Sequence, residues 1–499
     1  MLFLKNKILL TAIITAVFIS LLHIIFCYDV YDDIAAYYGQ MATAFARGDW
    51  RSAFDLSVPV FSSTLGGLLT SAGIESFRAL VIVSCIFYVV SIFPLYYILK
   101  FFLKEEDLAA WGCVLYVVAP KIIRYGCTGL LNPAKNFLII AAFALILASK
   151  KDVKWHRTVM LGAVLAGLAL ARAETFVFVP FLVIFYAFFI WSNKKENNKK
   201  AIIEPILHCA VITLLFFLFV SPRLMQAYLT TGAPVLDIRQ AIYFLKIIGQ
   251  EAVKYNSSLI IEAHSTIVIT NSKYPDGWRK IISGLDSFVL GAYIPYLTFA
   301  VLGFIVWWKK HENRIAGYML LGILLVNTSV VIFIVNSVRY YSIVLVLLLP
   351  FTVLGLKFIL DLLPKKKYLK YIVIIIFAAV AVLQILNGAK KAISRKYDYE
   401  YQSGLMLKSL KPEGKRGIIA SEQPQYAFWA DSQWMRTSEN KAKFLEQLNQ
   451  IKSADFLVID SDNEDLKKIL SGEKEFTLLE HKAPKLCIYS IKKDKAEVK

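Results

Sequence analysis

Two adjacent carboxylates, Asp32 and Asp33, are the first residues of this sequence that can act as a general base. They lie in the stretch Tyr28–Ile34, directly before a run whose apolar residues follow a helical period. A carboxylate held there can take a proton from an attacking hydroxyl group. The structural alternative is a helix cap, because aspartate accepts hydrogen bonds from the free N–H groups of a first helical turn. Both roles are compatible, since one aspartate can cap while the other acts as the base.

Four cationic residues offer a second kind of chemistry, the binding of a phosphate group. Lys121 and Arg124 share one short segment, whereas Arg172 ends a glycine-rich apolar run and Arg339 opens a later run. Arginine can bind phosphate through two parallel hydrogen bonds. The ordinary alternative for Lys121, Arg124 and Arg339 is anchoring at the membrane interface. For Arg172 the alternative is a structural pair with Glu174 at the end of a helix.

The elements that position these residues are predicted to be membrane-spanning helices. Of the 499 residues, 57% are hydrophobic and 19% are charged, and the mean hydropathy is +0.56. The apolar runs are continuous and near twenty residues long, which suits helices across a hydrocarbon core of about 30 Å. A membrane barrel would instead show short segments of alternating polarity. The sequence therefore predicts an all-α polytopic membrane domain.

The net charge of +19 reports membrane topology and not nucleic-acid binding. Lysine and arginine concentrate in alternate short loops, which all fall on one side of the predicted membrane. The positive-inside rule makes that side the cytoplasm, with the amino terminus inside and the carboxyl terminus outside. The first apolar stretch, Ile8–Cys27, lacks a cleavage site and is predicted to be an uncleaved span. A multi-pass protein of a bacterial plasma membrane is expected.

Eleven spans are predicted along the chain. The fifth and sixth are separated at Arg172–Glu174, because a single helix would place these charges at the centre of the bilayer. The predicted spans are 8–28, 77–103, 108–123, 131–149, 158–172, 175–192, 202–222, 286–308, 315–336, 340–363 and 369–388.

Three larger segments are then left on the outer side, namely loops 29–76 and 223–285 and the tail 389–499. The tail is charged and carries strand-like runs, which predict a small extracytoplasmic α/β domain after a membrane domain over 1–388. Its predicted strands are Gly417–Ala420, Phe456–Ile459 and Leu486–Ile491, with a helix over Ser438–Lys452. In loop 223–285, the apolar residues Ile242, Phe244, Ile247 and Ile248 are candidates to face lipid and cover a bound lipid.

The first outer loop is predicted to hold a short interfacial helix. Ile34, Tyr38, Met41 and Phe45 form one apolar stripe, which is too short to span a membrane and suits a helix at its surface. The segment Gly48-Asp49-Trp50 ends this helix, with glycine as the stop and tryptophan as the interfacial anchor.

The six cysteines do not form a recognisable set. They are scattered, no two have a CxxC spacing, and most lie in or beside apolar runs, so they are interpreted as core residues. The six histidines are equally dispersed, which argues against a histidine-built metal centre.

The first outer loop resembles that of membrane glycosyltransferases of the GT-C superfamily. Asp33, Tyr37, Ala44 and Gly48-Asp49-Trp50 match a pattern of the family 39 group, which includes protein O-mannosyltransferases and the aminoarabinose transferase of lipid A. Ile34 stands where this group often has a second acid, and Asp32 can supply that carboxylate from the other side.

The resemblance extends to the other polar segments of the same face. It includes a glycine-rich span that ends in Arg172-Ala173-Glu174 and an Arg339-Tyr340 pair before a proline-bearing span. Asn132 stands where similar proteins commonly carry an acid. Asparagine can donate or accept hydrogen bonds or ligate a metal but brings no charge, so a divalent metal and a catalytically silent relative both stay open as alternatives.

Similar enzymes transfer a sugar from a polyprenyl phosphate on the outer face of the membrane. The resemblance implies that Asp33 deprotonates an acceptor hydroxyl, which displaces the lipid phosphate with inversion at the anomeric carbon. It also implies phosphate contacts from Arg172 and Arg339. The expected partners are a polyprenyl-phosphate-linked hexose or pentose, membrane lipids, and an acceptor lipid, glycan or protein.

Three other classes of protein were weighed against a transferase. A transporter or flippase should carry charges near the middle of its spans, where this sequence has few apart from Glu204 and Asp361 towards the inner surface. A silent lipid-binding relative is kept open by Ile34 and Asn132. A polymerase of polysaccharide repeat units is disfavoured by the Asp33–Trp50 segment.

Overall fold

The computed structural model describes the greater part of the chain. The structure describes only the backbone at 173–174, 199–202, 231, 260–262, 310, 330, 338, 340 and 398–399. The described residues are 6–27, 30–150, 153–192, 199–232, 234, 236, 260–262, 288–289, 294–310, 314–330, 338–362, 379–380, 382–383, 385–386, 398–411, 417–479 and 486–492.

The chain divides into two compact units, each made of three separate segments. The first, called the membrane unit, comprises Met1–Cys27, Val81–Gln226 and Asn271–Ile393. The second, called the outer unit, comprises Tyr28–Leu80, Ala227–Thr270 and Ser394–Lys499.

Within the described residues, five helices are long and apolar enough to cross a membrane. They are Lys7–Phe26, Ser76–Leu103, Thr175–Ser192, Ile203–Thr230 and Ser342–Leu362. A sixth candidate is the pair Glu106–Val118 and Pro120–Gly126, whose helices meet at an angle of 60°. Four shorter apolar helices are Asn132–Ala148, Trp155–Ala171, Ile294–Lys309 and Arg314–Ser329. The expected polytopic helical architecture is confirmed, and the count of eleven spans stays a prediction.

The predicted break at Arg172–Glu174 is present. The helix Trp155–Ala171 stops there because Arg172 adopts an extended conformation, and a short 3-10 helix follows over Ala173–Val177. Thr175 fixes this turn, since its hydroxyl donates to the carbonyl oxygens of Leu168 and Arg172 over 2.6 and 2.5 Å. The next helix is Phe178–Ser192.

Two other predicted spans differ in extent from their helices. The run predicted to end at residue 222 continues as one helix over Lys199–Thr231, because the Pro222 ring breaks only one bond of a helix that is otherwise apolar. The run 369–388 falls largely outside the described residues, as do Ile242, Phe244, Ile247 and Ile248.

Glycine permits close helix packing at two places in the membrane unit. A Cβ on Gly162 would lie 3.0 Å from the Cβ of Leu215. The helices Ile294–Lys310 and Ser342–Leu362 approach still more closely, since a Cβ on Gly303 would lie 1.8 Å from the carbonyl oxygen of Phe351. Small residues are favoured at such crossings because they let backbones meet.

In the outer unit, the first loop folds into four helical pieces. They are a π-helix over Ile34–Tyr38, which follows two helical residues at 32–33, and α-helices over Gly39–Ala46, Trp50–Ala53 and Phe61–Ser71. The predicted glycine stop is confirmed, because Gly48 has φ +73° and Asp49 then caps the next helix by accepting a bond from the Ser52 N–H.

The apolar stripe of this helix is covered mainly by protein. Ile34, Tyr38 and Met41 are buried, and the helix packs along Phe61–Ser71. A Cβ on Gly67 would meet the Phe45 ring, so glycine on the second helix makes room for the stripe. The sequence had assigned these side chains to the membrane surface because periodicity alone does not distinguish lipid from protein as the apolar neighbour.

The tail supplies five strands of a six-stranded mixed sheet. Its order is β1-β3-β2-β4-β6-β5, in which β1, β3, β2 and β4 are parallel and β6 pairs antiparallel with β4 and β5. The strands are β1 Ile260–Glu262, β2 Ile418–Ser421, β3 Gln433–Arg436, β4 Phe456–Asp460, β5 Phe476–Leu479 and β6 Leu486–Ile491. The edge strand β1 comes from the segment after the helix Lys199–Thr231 and not from the tail.

The three predicted strands correspond to β2, β4 and β6, and the predicted α/β class is confirmed. The helix predicted over Ser438–Lys452 is observed at Lys441–Ile451, where Asn440 caps its first turn. Three further helices are Asp398–Ser409, Gln425–Trp429 and Glu464–Ser471.

Candidate functional site

Asp32 and Asp33 lie on the first helical turn of the outer unit. Asp32 is exposed and Asp33 is half-buried. The backbone of Asp33 is already helical, at φ −61° and ψ −32°, and its side chain makes no capping bond to the π-helix that follows. Asp33 therefore does not cap this π-helix, and its role as the base stays a prediction.

A glutamine of the tail holds the neighbouring carboxylate. The Nε2 atom of Gln425 donates to Asp32 Oδ1 over 2.7 Å and to the Val30 carbonyl oxygen over 3.2 Å. The Gln425 side chain is buried. The sequence analysis missed this residue, since no local pattern relates positions separated by 393 residues.

The short helix Gln425–Trp429 packs directly on the helix that carries the acidic pair. A Cβ on Gly39 would lie 2.3 Å from the Phe428 ring, so only glycine leaves space for that ring. About two turns further, Arg47 forms an ion pair with Asp431. The tail thus braces the first outer loop.

The π-helix places one extra residue in the turn directly after Asp33. Its signature is the bond from the Gly39 N–H to the Ile34 carbonyl oxygen. The buried Gln40 side chain donates to the Ala35 carbonyl oxygen over 3.1 Å and stabilises this wider turn. Single π turns inside helices occur frequently at functional sites. Tyr37 lies within it and is half-buried.

In the membrane unit, Arg172 is the most buried of the predicted phosphate contacts, with 5% of its surface exposed. It lies at the end of the helix Trp155–Ala171, in the turn that Thr175 fixes. An arginine in a rigid buried turn is pre-organised for charge-assisted hydrogen bonds.

Lys135 is a second buried cation, with only 1% of its surface exposed, and the sequence analysis missed it. It lies on the first turn of the helix Asn132–Ala148, four residues inside the predicted span. The signal was a lone lysine within an apolar run, which marks a functional position in a membrane helix more often than a structural one.

Two asparagines flank Lys135 on the same turn, and both are buried. Asn132 Oδ1 accepts no hydrogen bond from any described residue. The Nδ2 atom of Asn136 donates to Ser342 Oγ over 3.2 Å, and Ser342 directly follows the 3-10 turn Val338–Tyr341. This bond places the turn that carries Arg339 beside the start of the Asn132–Ala148 helix.

The same end of the membrane unit carries the remaining basic candidates. Lys121 and Arg124 lie on the short helix Pro120–Gly126, which packs on the Asn132–Ala148 helix. Arg124 and Arg339 are half-buried, as is Lys121, and the Arg124 guanidinium lies 5.4 Å from the Tyr125 ring centroid. Only the backbones of Glu174 and Tyr340 are described, so their proposed roles remain predictions.

Arg172 lies at this end as well, because the two helices that carry Lys135 and Arg172 form a hairpin. The short connection 149–154 joins Asn132–Ala148 to Trp155–Ala171, and the helices pack along each other. Arg157 closes the connection by donating to the Ala148 carbonyl oxygen over 2.6 Å. In such an antiparallel pair, the first turn of one helix lies beside the last turn of the other.

Metal ligation was tested on the side chains present. Over the described residues, no three His, Cys, Asp or Glu side chains come together in a way that would hold a metal ion. The position where similar proteins commonly have an acid is Asn132, and Asp32 is engaged by Gln425. Among the residues that the structure describes, the donor set does not fit a metal centre.

Comparisons with known proteins extend this description. The family model described as dolichyl-phosphate-mannose-protein mannosyltransferase matches residues 58–225. No curated protein matches the chain. Among solved structures, the chain is similar to ArnT from Cupriavidus metallidurans bound to undecaprenyl phosphate, with a TM-score of 0.68 at 10% identity, covering 96% of this chain and 97% of that chain.

Two archaeal structures give a similar result. The oligosaccharyltransferase of Archaeoglobus fulgidus, in complex with Zn and sulfate, has a TM-score of 0.59 at 14% identity, covering 91% of this chain and 68% of that chain. AglB of the same organism, in complex with an inhibitory peptide and a dolichol-phosphate, has a TM-score of 0.57 at 12% identity, covering 91% and 70%.

These likenesses confirm the resemblance that the sequence predicted. The chain has the fold of the GT-C glycosyltransferases, with an ArnT-like helical part and a small sheet domain near its carboxyl end. The family model and the fold together support a membrane glycosyltransferase as the class of protein.

Proposed function

We propose that this protein transfers a hexose or pentose from a polyprenyl-phosphate donor to an acceptor hydroxyl at the outer face of the plasma membrane. The observation that carries the proposal is the pair of buried cations, Lys135 and Arg172, at one end of a helical hairpin in the membrane unit. Burying a cation among apolar helices costs several kcal/mol. Such a cost is offset when the site binds an anion that itself arrives through the membrane.

A lipid phosphate fits this position for reasons of charge and access. Its phosphate carries the negative charge that Lys135 and Arg172 complement, while its prenyl chain stays in the hydrocarbon phase. The half-buried Arg339, Arg124 and Lys121 lie at the same end of the unit and add positive charge. Relatives with this fold have been solved with undecaprenyl phosphate and with a dolichol-phosphate.

The proposed reaction is a single displacement. Asp33 takes the proton of the acceptor hydroxyl, whose oxygen then bonds to the anomeric carbon of the donor sugar. The bond from that carbon to the phosphate oxygen breaks, and the lipid phosphate leaves with the electron pair. Arg172, Lys135 and Arg339 stabilise the developing negative charge. Attack opposite the leaving phosphate inverts the anomeric centre.

Asp32 has a different role in this mechanism. Gln425 holds its carboxylate in place, so Asp32 is the positioning member of the pair and Asp33 is the base. Tyr37, on the π turn that follows, is proposed to contact the substrate. The amino terminus is proposed to lie in the cytoplasm and the outer unit outside it, where a lipid-linked donor removes the need for nucleotide sugars.

The test is sugar transfer from a radiolabelled polyprenyl-phosphate sugar pool to cell material in membranes that carry the protein. Asp33→Asn keeps the shape of the side chain and removes the base, so transfer should fall by about 10²–10⁴-fold. Asp465→Asn serves as a matched control, because Asp465 is an exposed aspartate on the first turn of a tail helix, and it should transfer at the wild-type rate.

Three other outcomes are informative. Full activity of Asp33→Asn with loss in Asp32→Asn would move the base to Asp32. Full activity of both variants would contradict the use of this acidic pair. Absence of transfer by the wild type across hexosyl and pentosyl donors would contradict the proposed function and favour a silent lipid-binding relative or a flippase.

A further inference from the structure

A cavity in the outer unit takes no part in the mechanism above. Its volume is about 300 Å³, at the lower end of the range for small-molecule sites, about 300–1,000 Å³. One wall is the helix that follows the acidic pair, and the opposite wall comes from the tail helices Asp398–Ser409 and Gln425–Trp429. All of its lining residues belong to the outer unit.

The charged groups of this cavity balance each other. Arg47 and Lys408 bring two positive charges, while Glu75 and Asp431 bring two negative charges. A site for a phosphate or an acidic ligand would carry an excess of cations. Two positive and two negative groups together suit instead an uncharged ligand that both donates and accepts hydrogen bonds at many positions.

Aromatic side chains provide the rest of the lining. Tyr401, Phe428 and Trp429 line the cavity as one cluster, in which the Trp429 ring lies 4.8 Å from Tyr401 and 5.2 Å from Phe428. Flat apolar surfaces beside hydrogen-bonding groups match the ring of a sugar, which has apolar C–H faces and a polar rim. The cavity is too small for a prenyl or acyl chain.

The cavity is physically joined to the acidic pair through one short helix. Gln425 at its start bonds to Asp32, and Phe428 and Trp429 at its end line the cavity. With a rise of 1.5 Å per residue, these two ends lie about 6 Å apart along the helix. The opposite wall of the cavity is also connected to the acidic pair. Its residues Gln40, Thr43 and Arg47 follow Asp33 on the same helical segment.

We propose that this cavity binds a sugar unit of a saccharide acceptor, next to the unit whose hydroxyl is glycosylated. The assignment of the saccharide as acceptor rests on the proposed function, whereas saccharide binding in the cavity does not. The exposed ion pair between Arg47 and Asp431 contributes little on its own, so both side chains can exchange it for bonds to sugar hydroxyls.

Direct binding tests the site without any catalysis. The full chain, purified in detergent, is titrated calorimetrically with free hexoses, N-acetylhexosamines, aminopentoses and their disaccharides. Leu405→Trp fills the cavity from a side chain that is already 38% exposed, so we expect the affinity for the bound saccharide to fall at least about tenfold. Leu445→Trp alters an equally accessible leucine outside the cavity and should bind as the wild type does.

A second variant distinguishes a loss of binding from a folding defect in Leu405→Trp. Lys408→Ala removes an exposed donor from the cavity and should also weaken binding, with an unchanged thermal unfolding midpoint. The inference is overturned if none of the saccharides binds to the wild type, if Leu405→Trp and Lys408→Ala both bind normally, or if a short hydroxyl-bearing peptide binds in the cavity while saccharides do not.

Transfer kinetics then separate this inference from the proposed function. With an identified saccharide acceptor, Leu405→Trp should raise the acceptor KM about tenfold and leave the donor KM unchanged. Saccharide binding should persist in Asp33→Asn, which lacks the base. Binding without transfer by the wild type would support the cavity and contradict the transferase, whereas transfer with an unchanged acceptor KM would contradict only the acceptor site.

Discussion

The membrane unit and the outer unit hold their charged candidates in opposite ways. Lys135 and Arg172 of the membrane unit are almost completely buried, at 1% and 5% exposure. In the outer unit, Asp32 is exposed and Asp33 is half-buried, and a hydrogen bond from Gln425 holds the first of them. The two cations are shielded from water, whereas the Asp32 carboxylate is held by a contact at an accessible surface.

This difference corresponds to the two substrates of the proposed reaction. A lipid phosphate stays in the bilayer, so its binding groups can be shielded from water, where their electrostatic effect on a leaving phosphate is largest. An acceptor hydroxyl arrives from the aqueous side, so the base that meets it must stay reachable. If this assignment is right, loss of a buried cation should impair departure of the lipid phosphate, and changes around the accessible carboxylates should impair proton removal from the acceptor.

The largest effect is expected for Lys135→Met, which keeps the length and apolar stem of the side chain and removes its charge. If Lys135 stabilises the leaving phosphate, transfer should fall by about 10²-fold or more. The matched control is Lys357→Met, since Lys357 also lies on a membrane helix but is only half-buried. Transfer by Lys135→Met at the wild-type rate would show that Lys135 has a purely structural role. It would contradict the assignment of the buried cations to the lipid phosphate.

A smaller effect is expected for Gln425, which acts through Asp32. Gln425→Ala should lower transfer by up to about tenfold, because the carboxylate loses one charge-assisted hydrogen bond. Gln425→Glu places a like charge beside Asp32 and should move the acidic limb of the pH–rate profile to higher pH. Gln402→Glu, at an exposed position of the helix Asp398–Ser409, is the control. If Gln425→Glu and Gln402→Glu both keep the wild-type pH profile, Gln425 is a structural contact and does not act on the acidic pair.

Gly404→Ala is expected to affect stability more than chemistry. A Cβ at this position would lie 2.3 Å from the Cβ of Trp429 and 3.3 Å from its Cα, so the helix Asp398–Ser409 would have to move away from Gln425–Trp429. Overpacking of this kind costs about 1–3 kcal/mol, seen as a lower thermal unfolding midpoint of the detergent-solubilised chain. An unchanged midpoint would show that the tail helices adjust freely.

The smallest effect concerns the pH dependence of the outer unit. Partial desolvation of its carboxyl group by the surrounding protein raises the pKa of Glu75, and nearby Arg78 opposes the shift only in part. Above its ordinary pKa, the folded state then holds more protons than the unfolded state, so this contribution to stability decreases as the pH rises through the raised pKa. The thermal unfolding midpoint of Glu75→Gln, measured relative to that of the wild type, should therefore rise as the pH increases from 4 to 7. A difference that stays constant over this range would contradict the prediction.

Much of the membrane unit could be predicted because its signals are local. The apolar runs fix most helices to within a few residues, and the cost of charge at the bilayer centre placed the turn at Arg172. Gly48 was recognisable as a stop because a positive φ favours glycine. Three tail strands were equally visible as short β-branched runs.

The missed features depend on contacts between distant parts of the chain. Gln425 is an ordinary polar residue until the tail packs on the first loop. Strand β1 has only three residues and is defined by its pairing with β3. Lys135 resembled an interfacial lysine, because its burial requires the hairpin with Trp155–Ala171 and the bond between Asn136 and Ser342.

The three-segment make-up of the outer unit has a consequence for biosynthesis. The ribosome releases the acidic pair first, the strand β1 about halfway, and the helix that contacts Asp32 only after residue 425. Since domains fold as their segments emerge, the first loop must wait for the synthesis of the 393 residues that separate Asp32 from Gln425 before this helix can dock on it. A chain whose translation stopped within the last spans would insert most of its helices yet never assemble this surface, so only finished molecules would acquire it.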